Sequence, residues 1–152
     1  MDSATSRLKD LGLELPVRRS AGNYVGGVRA GDLVFVSGAG PTRPDGSLIT
    51  GKVGADVDIE TAQEGARLCA LACLSALQET VGSLDNVQGI VKLLGFVNSA
   101  PGFTEQHVVM NGASDLLVSV FGERGKHARS SVGMAELPMN IAVEVELIAQ
   151  VK

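Results

Sequence analysis

Apolar residues along this 152-residue chain recur with two periods, and the switches between them divide it into elements. From Ile59 to Val81, apolar positions at Ala66, Cys69, Ala70, Cys73, Leu74, Leu77 and Val81 follow the spacing of a helix face. Asp58 suits the N-cap of that helix, Glu60 adds favourable charge to its first turn, and Gly82-Ser83 ends it. A second helix is predicted over Thr104–Phe121, with Val108, Leu116, Leu117 and Val120 as core candidates and Gly122 as its stop. A short amphipathic helix over Ser3–Leu11, capped by Ser3 and stopped by Gly12, comes before both.

The other period is two. Ile141, Val143, Val145, Leu147, Ala149 and Val151 face one way, and Ala142, Glu144, Glu146, Ile148 and Gln150 face the other. Val87–Val97 and Ser130–Ala135 are strand-like, with a break at Leu137-Pro138. Two β-rich runs around a turn at Ala30-Gly31-Asp32 predict a hairpin over Asn23–Ser37. Its second run, Leu33-Val-Phe-Val-Ser37, is almost wholly apolar, which predicts a strand buried on both faces. Gly38-Ala-Gly40-Pro41 then bends the backbone, and Thr42–Gly54 reads as a loop. The order helix, β-β, α, β, α, β, β predicts an α+β fold, a mixed sheet with two long helices packed on one face. The uncovered face keeps side chains such as Ile148, which predicts a homo-oligomer with its sheets packed inward.

Composition narrows the function. The chain length suits a single domain over residues 1–152, with 1–16 as an N-terminal helical extension. A net charge of −4 without a basic stripe, and an aromatic content of 3%, argue against nucleic acid as a partner. Cys69 and Cys73, four apart on one helix face, read as small core residues. The N-terminus lacks the apolar run of a signal peptide, and no uncharged stretch is long enough to span a bilayer, so no membrane association and a cytoplasmic location are expected.

Phosphate-loop, dinucleotide, zinc-protease and Gly-x-Ser-x-Gly motifs are absent. The strongest candidate is Arg129, which follows the Gly122–Gly125 loop and stands just before a strand. A guanidinium at a strand mouth can hold a carboxylate bidentately; the plainer alternative is a solvated surface arginine. Glu144 and Glu146 share one strand face, either as solvated or subunit-facing groups or as a carboxylate that moves a proton. Tyr24 stands where the first strand is expected to begin, and Ser37 ends a strand before Gly38. Asn111 lies mid-helix, and His127 lies two residues before Arg129.

The hairpin "NYVGGVRAGDLVFVSGAGP" and the segment "ARSSVGMAELPMNIAVEVELIAQV" together resemble the RidA/YjgF family, the reactive intermediate deaminases, some of which carry the older label L-PSP endoribonuclease. The most specific part runs from Ala128-Arg-Ser through Leu137-Pro138 to Val143-Glu-Val-Glu. The resemblance implies a chorismate-mutase-like fold and a homotrimer, with sheets inside, helices outside and clefts between subunits. Arg129 matches the family arginine that binds the substrate carboxylate, and Glu144 the glutamate near the reacting water. Tyr24 matches a tyrosine contributed across the interface, and Ser37 a serine before glycine. Asn111 matches a helix asparagine, with one extra residue before Arg129. The implied reaction is hydrolysis of enamines and imines, such as 2-aminoacrylate, to keto acid and ammonia, with no metal or organic cofactor. Asn23, Ala39 and Ser131 stand where many members have Pro, Gln and Cys, and the Thr42–Ile59 loop is longer. The same arginine would also serve a trimeric carboxylate-binding protein without deaminase turnover, or, less readily, an endoribonuclease.

Overall fold

The computed structural model describes residues 3–152, so the first two residues of the N-terminal extension lie outside it. Eight main elements follow one another: α1 (Ala4–Asp10), β1 (Gly27–Ala30), β2 (Leu33–Ala39), α2 (Ile59–Val81), β3 (Val87–Asn98), α3 (Gln106–Phe121), β4 (Ala128–Met134) and β5 (Val143–Val151). The caps are those expected from the sequence: Ser3 Oγ accepts from the Ser6 amide, Asp58 accepts from the Thr61 amide, and Gly82 and Gly122 close α2 and α3 at positive φ. The five strands lie in the order β1-β2-β5-β3-β4, with β3 and β4 parallel and the other pairs antiparallel. The crossovers β2-α2-β3 and β3-α3-β4 put both long helices on one face, giving the predicted α+β architecture.

Small residues bring α2 close to the sheet. A methyl group at Gly65 would sit 3.0 Å from Val143 Cγ2. The Cys69 and Cys73 thiols point at the Val143 and Val145 carbonyls, 3.8 and 3.3 Å away. The two helices meet still more tightly: a Cβ at Gly112 of α3 would lie 2.1 Å from the Gln63 carbonyl oxygen of α2. Every residue of α2 from Leu68 to Leu77 is buried, more than one amphipathic stripe provides. The extra cover comes from the N-terminal extension, where Leu13 and Leu15 pack on the core and Ser75 Oγ donates to the Pro16 carbonyl at 2.5 Å.

Four expectations are corrected. Strand β2 is buried on one side only: Val34 and Val36 face the helices, while Phe35 is 46% exposed. Val108 is half-buried, and its neighbours Val109 and Met110 enter the core instead. Strand β1 starts at Gly27, so Tyr24 lies in the approach to the strand. Strand β4 starts at Ala128, so Arg129 is inside a strand and paired with Leu93.

Gly112→Ala should destabilise the protein. Better helix propensity contributes about 1 kcal/mol, but a clash with backbone forces two helices apart, and overpacking costs about 1–3 kcal/mol or more. A net loss of about 1–2 kcal/mol, read as a Tm lowered by about 2–8 °C, is expected in thermal unfolding. Burial pushes the Cys73 thiol up to about 12 and Cys69 well above its ordinary value. Neither cysteine should react with an aromatic disulfide reagent at pH 8 until the chain is denatured.

Candidate functional site

The site begins with the register of β4. Arg129 pairs with Leu93, which is fully buried under the helices, so the arginine side chain leaves the sheet on the helix side. There it meets α3. Arg129 Nη1 donates to Asn111 Oδ1 and to Ser114 Oγ, and Nη2 donates to the His107 carbonyl, each at 3.1 Å. His107, Asn111 and Ser114 are spaced i, i+4, i+7 and so form one stripe along α3. A guanidinium has five N–H donors, and three are occupied here. Among the described residues the Nε–H and one Nη2–H are left without a partner, and the Nε/Nη2 edge of a guanidinium is one that can grip a carboxylate side-on. Ser114 in turn touches His127, whose Nε2 lies 2.9 Å from the serine oxygen and whose Nδ1 lies 2.6 Å from the Gly125 carbonyl.

Glu144 lies on the other face of the sheet. It pairs with Phe96, which also pairs with Val132, so all three share the uncovered side. Its carboxylate rests on Gly38, where a Cβ would come within 2.9 Å of Oε2; any side chain at position 38 would displace it. Glu144 is half-buried, and desolvation, then the nearby Glu146 charge, raise its pKa above the ordinary value. Ser37 Oγ donates to the Val25 carbonyl at 2.7 Å, which fixes the approach segment carrying Tyr24. Tyr24 is half-exposed, and its hydroxyl accepts from the Ala21 amide at 3.4 Å. Arg18, from the N-terminal segment, donates through Nη2 to the Gly38 carbonyl at 3.3 Å.

The predicted residues therefore form two groups. Asn111 joins Arg129; Ser37 lies next to Gly38 under Glu144. Among the described residues no hydrogen bond links one group to the other. Strand β3 stands between β4 and β5, and the two groups lie on opposite faces. Ser114 and Arg18 were not anticipated from the sequence. The spacing of Ser114 three residues after Asn111 was the available signal for the first; an arginine in an irregular segment gave none for the second. Among the described residues no three His, Cys, Asp or Glu side chains gather as a metal site. No helix of the described chain is long and apolar enough to cross a membrane.

The chain matches the family model described as "YjgF/chorismate_mutase-like, putative endoribonuclease" over residues 5–151. Protein TCP17 of Trypanosoma cruzi is 47% identical over 147 residues, covering 95% of this chain and 92% of its own length. The crystal structure of protein Atu1372 from Agrobacterium tumefaciens, of unknown function, superposes with a TM-score of 0.91 at 45% identity, over 99% of this chain and 94% of the other. Escherichia coli TdcF with bound serine superposes with a TM-score of 0.59 at 28% identity, over 88% and 91% of the two chains. With the matched span, the shared identity and the mixed sheet all in agreement, the chain belongs to the RidA/YjgF family.

Proposed function

We propose that this protein hydrolyses reactive enamines and imines of the 2-aminoacrylate type to keto acid and ammonia, in clefts between the subunits of a homotrimer. The observation that carries this reading is the Arg129 fork, held by three acceptors with a side-on pair of donors left over. Its chemistry suits a small carboxylate, and serine, the ligand in the TdcF structure, is a small carboxylate. The placement of Arg129 and Glu144 on opposite faces of one sheet favours a site completed by a second copy. So does the uncovered sheet face, where Phe35 and Val132 are exposed at 46% and 40%.

In this scheme 2-aminoacrylate tautomerises to its imine, and Arg129 holds the carboxylate while water approaches the C=N carbon. Glu144 of a neighbouring copy takes a proton from that water as the C–O bond forms. The raised pKa of Glu144 makes it a better base than a solvated carboxylate. The C=N pair of the protonated imine falls back on nitrogen to give the amino alcohol; Glu144 hands its proton to that nitrogen and takes the hydroxyl proton as the C–N bond breaks, so ammonia and the keto acid leave. Tyr24, Ser37 and Asn111 line the substrate: Asn111 through Arg129, and Ser37 by setting the segment that presents Tyr24.

Keto-acid release from freshly generated 2-aminoacrylate tests this directly. Wild type should accelerate release over buffer, and Arg129→Lys should lose about 10- to 100-fold in kcat/KM because a point charge cannot reproduce the fork. Failure of wild type to accelerate release would overturn the deaminase reading; serine binding that still required Arg129 would then leave a carboxylate-binding protein.

Glu144→Gln should lower kcat by about 100-fold or more. It should also change stability in a pH-dependent way. Because the folded-state pKa of Glu144 lies above its unfolded value, its favourable contribution is present below the ordinary 4.5 and is lost as pH rises through the folded value. The Tm of Glu144→Gln should therefore exceed that of wild type at pH 7, with the gain gone at pH 4.

A further inference from the structure

We propose that Ser114 and His127 are positioning residues for Arg129, with His127 fixing the direction of the Ser114 hydroxyl and Ser114 fixing the guanidinium. The inference rests on the reading of Arg129 as a carboxylate anchor and adds residues to it.

The direction of each hydrogen bond follows from what each atom can do. The Gly125 carbonyl only accepts, so His127 Nδ1, 2.6 Å away, carries a proton. In a neutral imidazole Nε2 is then an acceptor, and the group 2.9 Å from it is the Ser114 hydroxyl. The Ser114 proton goes to His127, which turns the oxygen lone pairs toward Arg129 Nη1, a group that only donates. Chain order thus runs Gly125 carbonyl, His127, Ser114, Arg129. Without the histidine the serine hydroxyl is free to rotate, and its proton can face the guanidinium.

The same chain couples His127 to the ligand. Burial first holds its pKa below the ordinary histidine value; Arg129 also lowers it, against the Gly125 bond that raises it. The other charged groups on the elements around it have partners of their own or are exposed. Glu123 and Lys126 pair at 2.9 Å, and Arg124 donates to the Val87 carbonyl at 2.8 Å. On β3, Lys92 Nζ lies 3.4 Å from Ser130 Oγ. On α3, Asp115 is exposed, and His107 contributes its backbone carbonyl to Arg129. Arg129 is the charge that acts on His127. Protonation at Nε2 would replace its acceptor with a donor and end its hold on the Ser114 proton, so the relay works with the neutral ring and opposes protonation of His127.

Pyruvate titrations of the full chain at pH 5.5 and 7.5 test the relay, together with imidazole ¹⁵N spectra of the ligand-free protein. Wild type should bind pyruvate about 3-fold more weakly at the lower pH, where protonation of His127 turns Nε2 from acceptor to donor. His127→Ala should weaken binding about 3- to 10-fold at pH 7.5, and Ser114→Ala by a similar factor, with no further loss when the two are combined. His127→Gln offers an acceptor that cannot titrate, so it should recover affinity at pH 7.5 without the pH dependence. The spectra should show Nδ1 protonated and Nε2 as an acceptor. Unchanged affinity in His127→Ala, beside loss of binding in Arg129→Ala, would overturn the relay and leave the carboxylate anchor standing. Absence of any Arg129-dependent pyruvate binding would overturn the anchor, and a proton on Nε2 with Nδ1 bare would overturn the relay independently of any ligand.

Discussion

The approach of α3 to α2 at Gly112 sets the position of everything on the helix side of the sheet. Only a residue without a side chain lets the Gln63 carbonyl come so near the α3 backbone, and this contact fixes where α3 lies over β3 and β4. Asn111 and Ser114, both within two residues of Gly112, are thereby aimed at the arginine on β4. Helix packing and the geometry of the guanidinium are thus one problem. A change that moves α3 by a fraction of an ångström moves the acceptors of Arg129 with it.

The helices and β5 were legible in the sequence because their signals are local. Asp58 and Gly82 bracket a run with a helical period, and Val143–Val151 alternates without interruption. The open face of β2 is not legible in the sequence, because Leu-Val-Phe-Val looks the same whether its second face meets a helix or lies open, and only the sheet decides. The full burial of Leu68–Leu77 was hidden for a similar reason: it depends on a segment more than fifty residues earlier in the chain. At the site, the run from Arg129 to Glu144 was visible as a spacing. That the two residues leave the sheet in opposite directions follows from strand register: Arg129 pairs with Leu93, and Glu144 with Phe96. The bond from Ser114 to His127 spans thirteen residues and two elements, so neither residue alone announced it.

The two halves of the candidate site have different electrostatic characters. Arg129 sits among neutral acceptors on α3, with no anion paired to it among the described residues. Glu144 sits against a glycine and near a second carboxylate, where desolvation and repulsion both oppose ionisation. The two halves carry opposite charge and lie on opposite faces of the sheet. A cation with no anion beside it among the described residues, and a carboxylate whose ionised form is disfavoured, suit the proposed roles of holding a ligand carboxylate and of taking a proton.

The three acceptors around Arg129 also bear on entropy. A free arginine carries about 2 kcal/mol of rotamer freedom, and a ligand that had to order it would bind correspondingly less well. Here α3 has already frozen the guanidinium as the chain folds. The ordering cost falls on folding, where it is one small term among many, and any anion that approached would meet a fork that is already still.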